Sequence, residues 1–219
     1  FGASFLYAKL KENCQELKSR MLVRPVFAHP GFMMRRELIE KGYYYDEAFQ
    51  TAQDYDFAAR VAEKFQIGMV QEVLLYYRVH DKQISNLAGT EQFNNADKVR
   101  ERLWKQAGVS LTTEEKKEVQ NWAREICPDN IAQYKNAGYL IDKLLEANKH
   151  SLCYPQDVLD ATMKRLLYIW LIHSKRVDYL LAFPKVCRYQ WKNMLLFIRE
   201  IIRILKEKIM SRGERKYAS

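Results

Sequence analysis

The chemistry that this sequence could perform is concentrated around two acidic residues, Asp54 and Asp56, which open a stretch with helical periodicity. A carboxylate at the start of a helix, placed after an aromatic loop, can reach a bound hydroxyl group and accept its proton as a general base. The same position also has a purely structural use, because acidic side chains in a first turn suit the positive end of the helix dipole and can cap the helix. The residues alone leave both interpretations of Asp54 open.

Two groups of candidate ligand-binding residues precede this acidic pair. In the cluster Tyr43-Tyr44-Tyr45, the flat faces of Tyr44 or Tyr45 could stack on a ligand while their hydroxyls form hydrogen bonds, although aromatic residues beside a glycine more often pack in a core. The second group is His29, Pro30 and Gly31, which either approaches the same ligand or forms a plain turn.

A further polar group follows the acidic pair, at the end of a strand-like segment. The neutral imidazole of His80 can act as a metal ligand, and the guanidinium of Arg78 suits phosphate oxygens. Gln83 and Ser85 lie on the next loop, which could close over a ligand as a lid. The alternative for Arg78 and His80 is a solvated strand end at the surface.

The elements that position these residues differ between the two parts of the chain. Residues 1–89 mix a helix at 53–65, with one apolar face, and two short β-like runs at 67–70 and 73–79. After residue 90 the pattern is helical, and we predict helices from a capping box at Thr112 to about residue 126, at 130–148 and at 155–173. The sequence therefore predicts an α/β first part followed by a mainly α-helical region.

Four segments stand in order between residues 28 and 85 and carry a family resemblance. They are Ala28-His29-Pro30-Gly31-Phe32-Met33-Met34-Arg35-Arg36, Gly42-Tyr43-Tyr44-Tyr45-Asp46-Glu47-Ala48-Phe49, Ala52-Gln53-Asp54-Tyr55-Asp56-Phe57, and Glu72-Val73-Leu74-Leu75-Tyr76-Tyr77-Arg78-Val79-His80 with Gln83-Ile84-Ser85. In content and spacing these segments resemble the family 2 glycosyltransferases of the GT-A fold. The resemblance implies a partial GT-A α/β domain whose nucleotide-binding half is missing.

The resemblance also implies an activity, the inverting transfer of a sugar from a nucleotide-sugar donor to a glycan or lipid-linked acceptor. Asp54 would be the general base, and Gln53 stands beside it where the family usually has Glu. The acceptor would be contacted by residues around this base, namely Gln53, His29, Pro30, Gly31, Tyr44 and Tyr45.

The remaining implied roles concern the donor. The resemblance places His80 near a divalent metal, Mn or Mg, and near the diphosphate, together with Arg78, Gln83 and Ser85. Asp54-Tyr55-Asp56 has the form of the family's metal motif, but that motif belongs to the nucleotide-binding half. We therefore expect the metal-holding carboxylates to be missing here and this portion alone to be inactive.

The excess positive charge is concentrated in the C-terminal segment. The chain carries a net charge of +9, and residues 183–219 contain ten Lys or Arg and three Asp or Glu, a net charge of +7. Within residues 185–210 a wide apolar stripe faces a basic side, a pattern typical of a helix lying on an anionic membrane, although it could also pack on another helix. The apolar stripe argues against nucleic acid as the partner.

These observations divide the chain into three predicted regions. They are an acceptor-side glycosyltransferase part at 1–89, a helical region at 90–182 and a basic amphipathic helix at 183–219. No apolar run is long enough to cross a bilayer, so we expect a cytoplasmic protein that is peripheral on the inner face of the membrane. The alternative to an enzyme is a non-catalytic helical module that docks on a partner or a membrane.

Overall fold

A computed structural model describes residues 12–70, 72, 74–75, 89–126, 128 and 130–173. These residues form seven α-helices and one 3-10 turn. The helices are α1 (Cys14–Arg20), α2 (Glu37–Glu40), α3 (Gln53–Lys64), α4 (Gly89–Gln106), α5 (Thr113–Ala123), α6 (Ile131–Ser151) and α7 (Gln156–His173), and the 3-10 turn is His29–Gly31.

The predicted α/β fold class, a partial GT-A domain, is wrong for the described residues, which contain no strand and no sheet. Residues 67–70, predicted as a strand, have no regular secondary structure, and neither do Leu74 and Leu75 of the second predicted strand. A strand is stable only when its backbone groups pair with a neighbouring strand and one face packs on a core. The described residues offer no such neighbour, so residues 67–70, Leu74 and Leu75 form no strand.

Local signals in the sequence explain where the helices begin. At the start of α5 the Thr112 hydroxyl accepts a hydrogen bond from the backbone of Glu115, whose carboxylate accepts one from the backbone of Thr112. Asn13 and Glu16 form the same reciprocal capping box at α1. These bonds satisfy backbone donors that a helix cannot satisfy itself, and the helix predicted from Thr112 is confirmed, although it ends at Ala123.

Large aromatic side chains occupy the centre of the core. Trp104, Trp122 and Trp170 are almost completely buried, and side chains of this size dominate the energetics of a core. Their indole N–H groups donate to backbone carbonyls, at 2.8 Å from Trp104 to Leu22 and at 2.9 Å from Trp170 to Ile126. Because Leu22 precedes the candidate site in sequence and α4 follows it, one core joins the early part of the chain to the later helices.

Helix packing places α3 against α4, and α7 against both α1 and α6. The pairing of α3 with α4 matters most for function, because α3 carries the predicted catalytic residue. None of the described helices is long and apolar enough to cross a membrane. The predicted membrane-docking helix at 185–210 lies outside the described residues.

Candidate functional site

The predicted catalytic residue lies in the first turn of α3, after a backbone turn of unusual geometry. Ala52, the residue before the helix, has a left-handed conformation with φ 58° and ψ 20°, and its side chain cannot cap the helix. A non-glycine residue in this conformation costs about 1 kcal/mol, and such outliers persist only where surrounding contacts impose them. Thr51 supplies one such contact, because its buried hydroxyl accepts a hydrogen bond of 3.0 Å from Asn95 of α4.

Asp54 is half-buried, in the second position of the helix, with one oxygen engaged. Its Oδ1 accepts a hydrogen bond of 2.9 Å from the backbone N–H of Tyr55. The carboxylate therefore does stabilise the first turn, as the structural interpretation of the sequence expects. In the described part of the chain no donor reaches Oδ2, which leaves that oxygen available to a ligand hydroxyl.

The predicted acceptor residues His29, Pro30 and Gly31 form the 3-10 turn, closed by a hydrogen bond of 2.9 Å from Gly31 N–H to the Ala28 carbonyl. All three are exposed. The imidazole of His29 packs edge-on against Phe32, with ring centroids 5.5 Å apart. The turn thus presents His29 at the surface while Phe32 anchors it to the core.

Tyr45 connects this turn to the start of α3. Its hydroxyl and His29 Nε2 are 3.0 Å apart in a hydrogen bond, and its ring lies 4.8 Å from that of the buried Phe57. Partial burial raises the pKa of Tyr45 above its usual value, and the negative charge of Asp54 raises it further. The structure therefore joins His29 to Tyr45 directly, and it packs Tyr45 on Phe57, three residues after Asp54 in α3.

The three neighbouring tyrosines differ in what they contact. Tyr43 is half-buried and packs edge-on against Phe65 at 5.2 Å, so it belongs to a small satellite core. Tyr44 and Tyr45 are exposed and available to a ligand. Core packing, the more common role of such a cluster, therefore applies to Tyr43, while the contact of Tyr44 or Tyr45 with a sugar stays a prediction.

The second acidic residue, Asp56, has a different environment from Asp54. Its side chain is 0% exposed, and its oxygens accept bonds of 2.7 Å from Arg60 of α3 and 2.6 Å from Arg102 of α4. A carboxylate enclosed by two guanidinium groups has no place for a metal ion. This geometry supports the interpretation that Asp54-Tyr55-Asp56 is not a metal motif.

Sequence reasoning missed the supporting residues of the site. The spacing of Asp56 and Arg60 by four residues is a readable signal for a helical ion pair. Arg102 and Asn95 gave no signal, because they meet their partners 46 and 44 positions away in the chain.

An open apolar groove of about 670 Å³ shares residues with the site. It is lined by Phe32 and Phe57, which contact His29 and Tyr45, and by apolar side chains including Met33, Leu38, Val61 and Ile67. Met33 is 98% exposed. Phe57, Leu38 and Val61 are buried, so the accessible apolar surface beside the candidate site is mainly that of Met33 and Met34.

The predicted donor-side residues Arg78, His80, Gln83 and Ser85 lie outside the described residues. Within the described ranges, no three His, Cys, Asp or Glu side chains lie together as a metal site would require. Comparisons of the chain with protein-family models, with curated proteins and with solved structures found no match.

Proposed function

We propose that the chain is the acceptor-side part of an inverting glycosyltransferase, in which Asp54 is the general base. The observation that carries the proposal is that Tyr45 forms a hydrogen bond with His29 and packs on Phe57, which follows Asp54 by three residues in α3. These residues come from three of the four segments that resemble the family 2 glycosyltransferases. The proposal depends on these side chains and their spacing, and not on the fold class.

The proposed reaction needs an attacking hydroxyl held in line behind the anomeric carbon of a nucleotide sugar. The acceptor oxygen forms a bond to that carbon from the side opposite the leaving group. The bond from the carbon to the diphosphate oxygen breaks, the nucleoside diphosphate leaves, and the configuration inverts. The hydroxyl proton passes to Asp54, whose Oδ2 has no other donor among the described residues.

Tyr44 and Tyr45 would contact the acceptor sugar, with His29, Pro30, Gly31 and Gln53 around it. His29 and Tyr45 already form a hydrogen bond, so their remaining polar atoms are held in a defined geometry. The divalent Mn or Mg ion that the resemblance implies has no ligand set among the described residues. No step of the proposal therefore passes through the metal.

The test is the Asp54→Asn variant of the full-length protein. Asn keeps the size of the side chain and can still accept the Tyr55 N–H bond, but it cannot take a proton. We expect turnover to fall about a hundredfold or more while the fold is retained. Asp157→Asn is the matched control, because Asp157 is an exposed carboxylate in the first turn of α7. Wild-type turnover in the Asp54→Asn variant would contradict the assignment.

A second candidate function is a non-catalytic interaction module, and the exposed Met33 and Met34 in the open groove favour it. Adjacent exposed apolar side chains commonly mark a binding site for another molecule. A donor screen on the full-length protein, with a divalent metal present, separates the two. Transfer from one nucleotide sugar supports the enzyme, whereas no transfer from any of them favours the module.

A further inference from the structure

Local hydrogen bonds fix the two ends of the loop that carries Tyr44 and Tyr45. At its start Gly42, with φ 80°, ends α2, and the Tyr43 N–H donates to the Leu38 carbonyl at 3.0 Å. At its end the Asp46 side chain accepts a bond of 2.9 Å from the Ala48 N–H. Between these points the chain must be held by contacts from outside the loop.

Arg60 supplies such a contact at the centre of the loop. Its Nη2 donates a hydrogen bond of 2.7 Å to the Tyr44 carbonyl, while its Nε donates one of 2.7 Å to the buried Asp56. Among the described residues, the bond from Arg60 to the Tyr44 carbonyl is the one hydrogen bond that joins the backbone of residues 44–46 to a helix. The planar guanidinium can form both bonds at once because its donors point in fixed, different directions.

Asp56 is itself fixed from two helices. Arg102 of α4 donates to its Oδ1 at 2.6 Å, and Arg60 donates to its Oδ2. The buried carboxylate therefore sets the position of Arg60, and Arg60 sets the position of the Tyr44 carbonyl. Tyr45, the next residue, contacts His29 and lies in the field of Asp54.

We propose that Arg60 is a positioning residue of the candidate site, which holds Tyr45 against His29 by joining the Tyr44 carbonyl to the buried Asp56. This inference rests on the proposed function for its catalytic consequence. Its structural consequence is independent of any activity, since it concerns only the contact between Tyr45 and His29. A lysine at position 60 keeps the charge beside Asp56, but its single ammonium cannot form both bonds in the same geometry.

The structural test is NMR of the protein with ¹³C-labelled histidine, in which four histidines give signals and His29→Gln identifies that of His29. The ring of Tyr45, 5.4 Å from that of His29, shifts this signal. We expect Tyr45→Ala and Arg60→Lys each to move it. Gln106→Ala is the matched control, because it removes a bond of 2.9 Å between α4 and Glu63 of α3 without touching the loop. Should Arg60→Lys fail to fold, Arg60→Met replaces it, since Asp56 keeps its bond with Arg102.

The outcomes separate this inference from the proposed function. A His29 signal that moves in Tyr45→Ala but stays at its wild-type position in the folded Arg60 variant overturns the positioning role, and needs no donor sugar to be known. In the full-length enzyme we expect Arg60→Lys to lower kcat/KM for the acceptor about tenfold to a hundredfold, with KM for the donor unchanged. An equal fall in kcat/KM for the donor and the acceptor would indicate a general structural role for Arg60 and would also overturn its positioning role. Activity retained by Asp54→Asn would instead contradict the proposed function alone.

Discussion

Replacing Asp56 by Asn should lower the free energy of unfolding by about 3 kcal/mol. The side chain is 0% exposed and accepts two charge-assisted hydrogen bonds, of 2.7 Å from Arg60 and 2.6 Å from Arg102. Removing one member of a buried ion pair costs about 3–5 kcal/mol, because the remaining charge is left without its partner. The two arginine side chains are 28% and 33% exposed, so water can solvate their charges in part after the carboxylate is removed. We therefore expect a loss at the lower end of that range.

Urea unfolding monitored by tryptophan fluorescence measures this loss directly. Three buried tryptophans, Trp104, Trp122 and Trp170, become exposed on unfolding and provide the signal. Glu63→Gln is the control, since Glu63 joins the same two helices at an exposed position, and we expect it to change stability by less than about 0.5 kcal/mol. A loss below about 1 kcal/mol for Asp56→Asn would refute the reasoning. A second test places Asp56→Asn in the Arg102→Met variant, where the ion pair with Arg102 is already absent. Asp56→Asn should cost less stability there than in the wild type, because residues in contact are coupled. An equal loss in both would also refute the reasoning.

Two further predictions concern other parts of the chain. Leu152, the C-cap of α6, has φ 52° and is 78% exposed, so Leu152→Gly should raise the free energy of unfolding by about 0.5–1 kcal/mol in the same urea assay. Leu152→Ala keeps a Cβ in the left-handed conformation, so it should not relieve the backbone strain. An equal gain in stability from Leu152→Ala would contradict the explanation. The segment 185–210, outside the described residues, should bind anionic vesicles, because each basic residue near such a surface contributes about 1 kcal/mol. Co-sedimentation that is equal for the intact chain and a chain ending at Ala182 would exclude this role.

Four of the seven described helices, α3, α5, α6 and α7, were predicted individually, because their signals are local. The apolar face of α3 recurs at three- and four-residue steps, and the Thr112 capping box lies within four residues. The strand prediction was wrong because a strand does not depend on local signals alone. A short apolar run such as 67–70 becomes a strand only if a neighbour pairs with it, and the described residues contain no such neighbour. Strand formation therefore depends on distant contacts that periodicity does not record.

In the candidate site, too, some residues could be predicted from the local sequence and others could not. His29, Tyr45 and Asp54 could be selected from their residue types and segments, and the structure joins His29 to Tyr45 and packs Tyr45 on Phe57, three residues after Asp54. The residues that hold the site in place could not be predicted. Asn95 and Arg102 of α4 form hydrogen bonds with Thr51 and Asp56, which lie more than forty positions earlier in the chain. Nothing in the local sequence around either pair identifies its partner.

The buried supporting residues and the half-buried Asp54 should respond differently to substitution. The supporting residues Asp56 and Thr51 are buried, so changing them should alter stability and the geometry of the site together. Asp54 is half-buried, and an Asn in its place can still accept the Tyr55 N–H bond that stabilises the first turn of α3. Asp54→Asn should therefore leave stability close to that of the wild type while it removes the proton acceptor. A large loss of stability in that variant would mean that Asp54 is one more structural residue of the helix start, and the case for a general base would lose its physical basis.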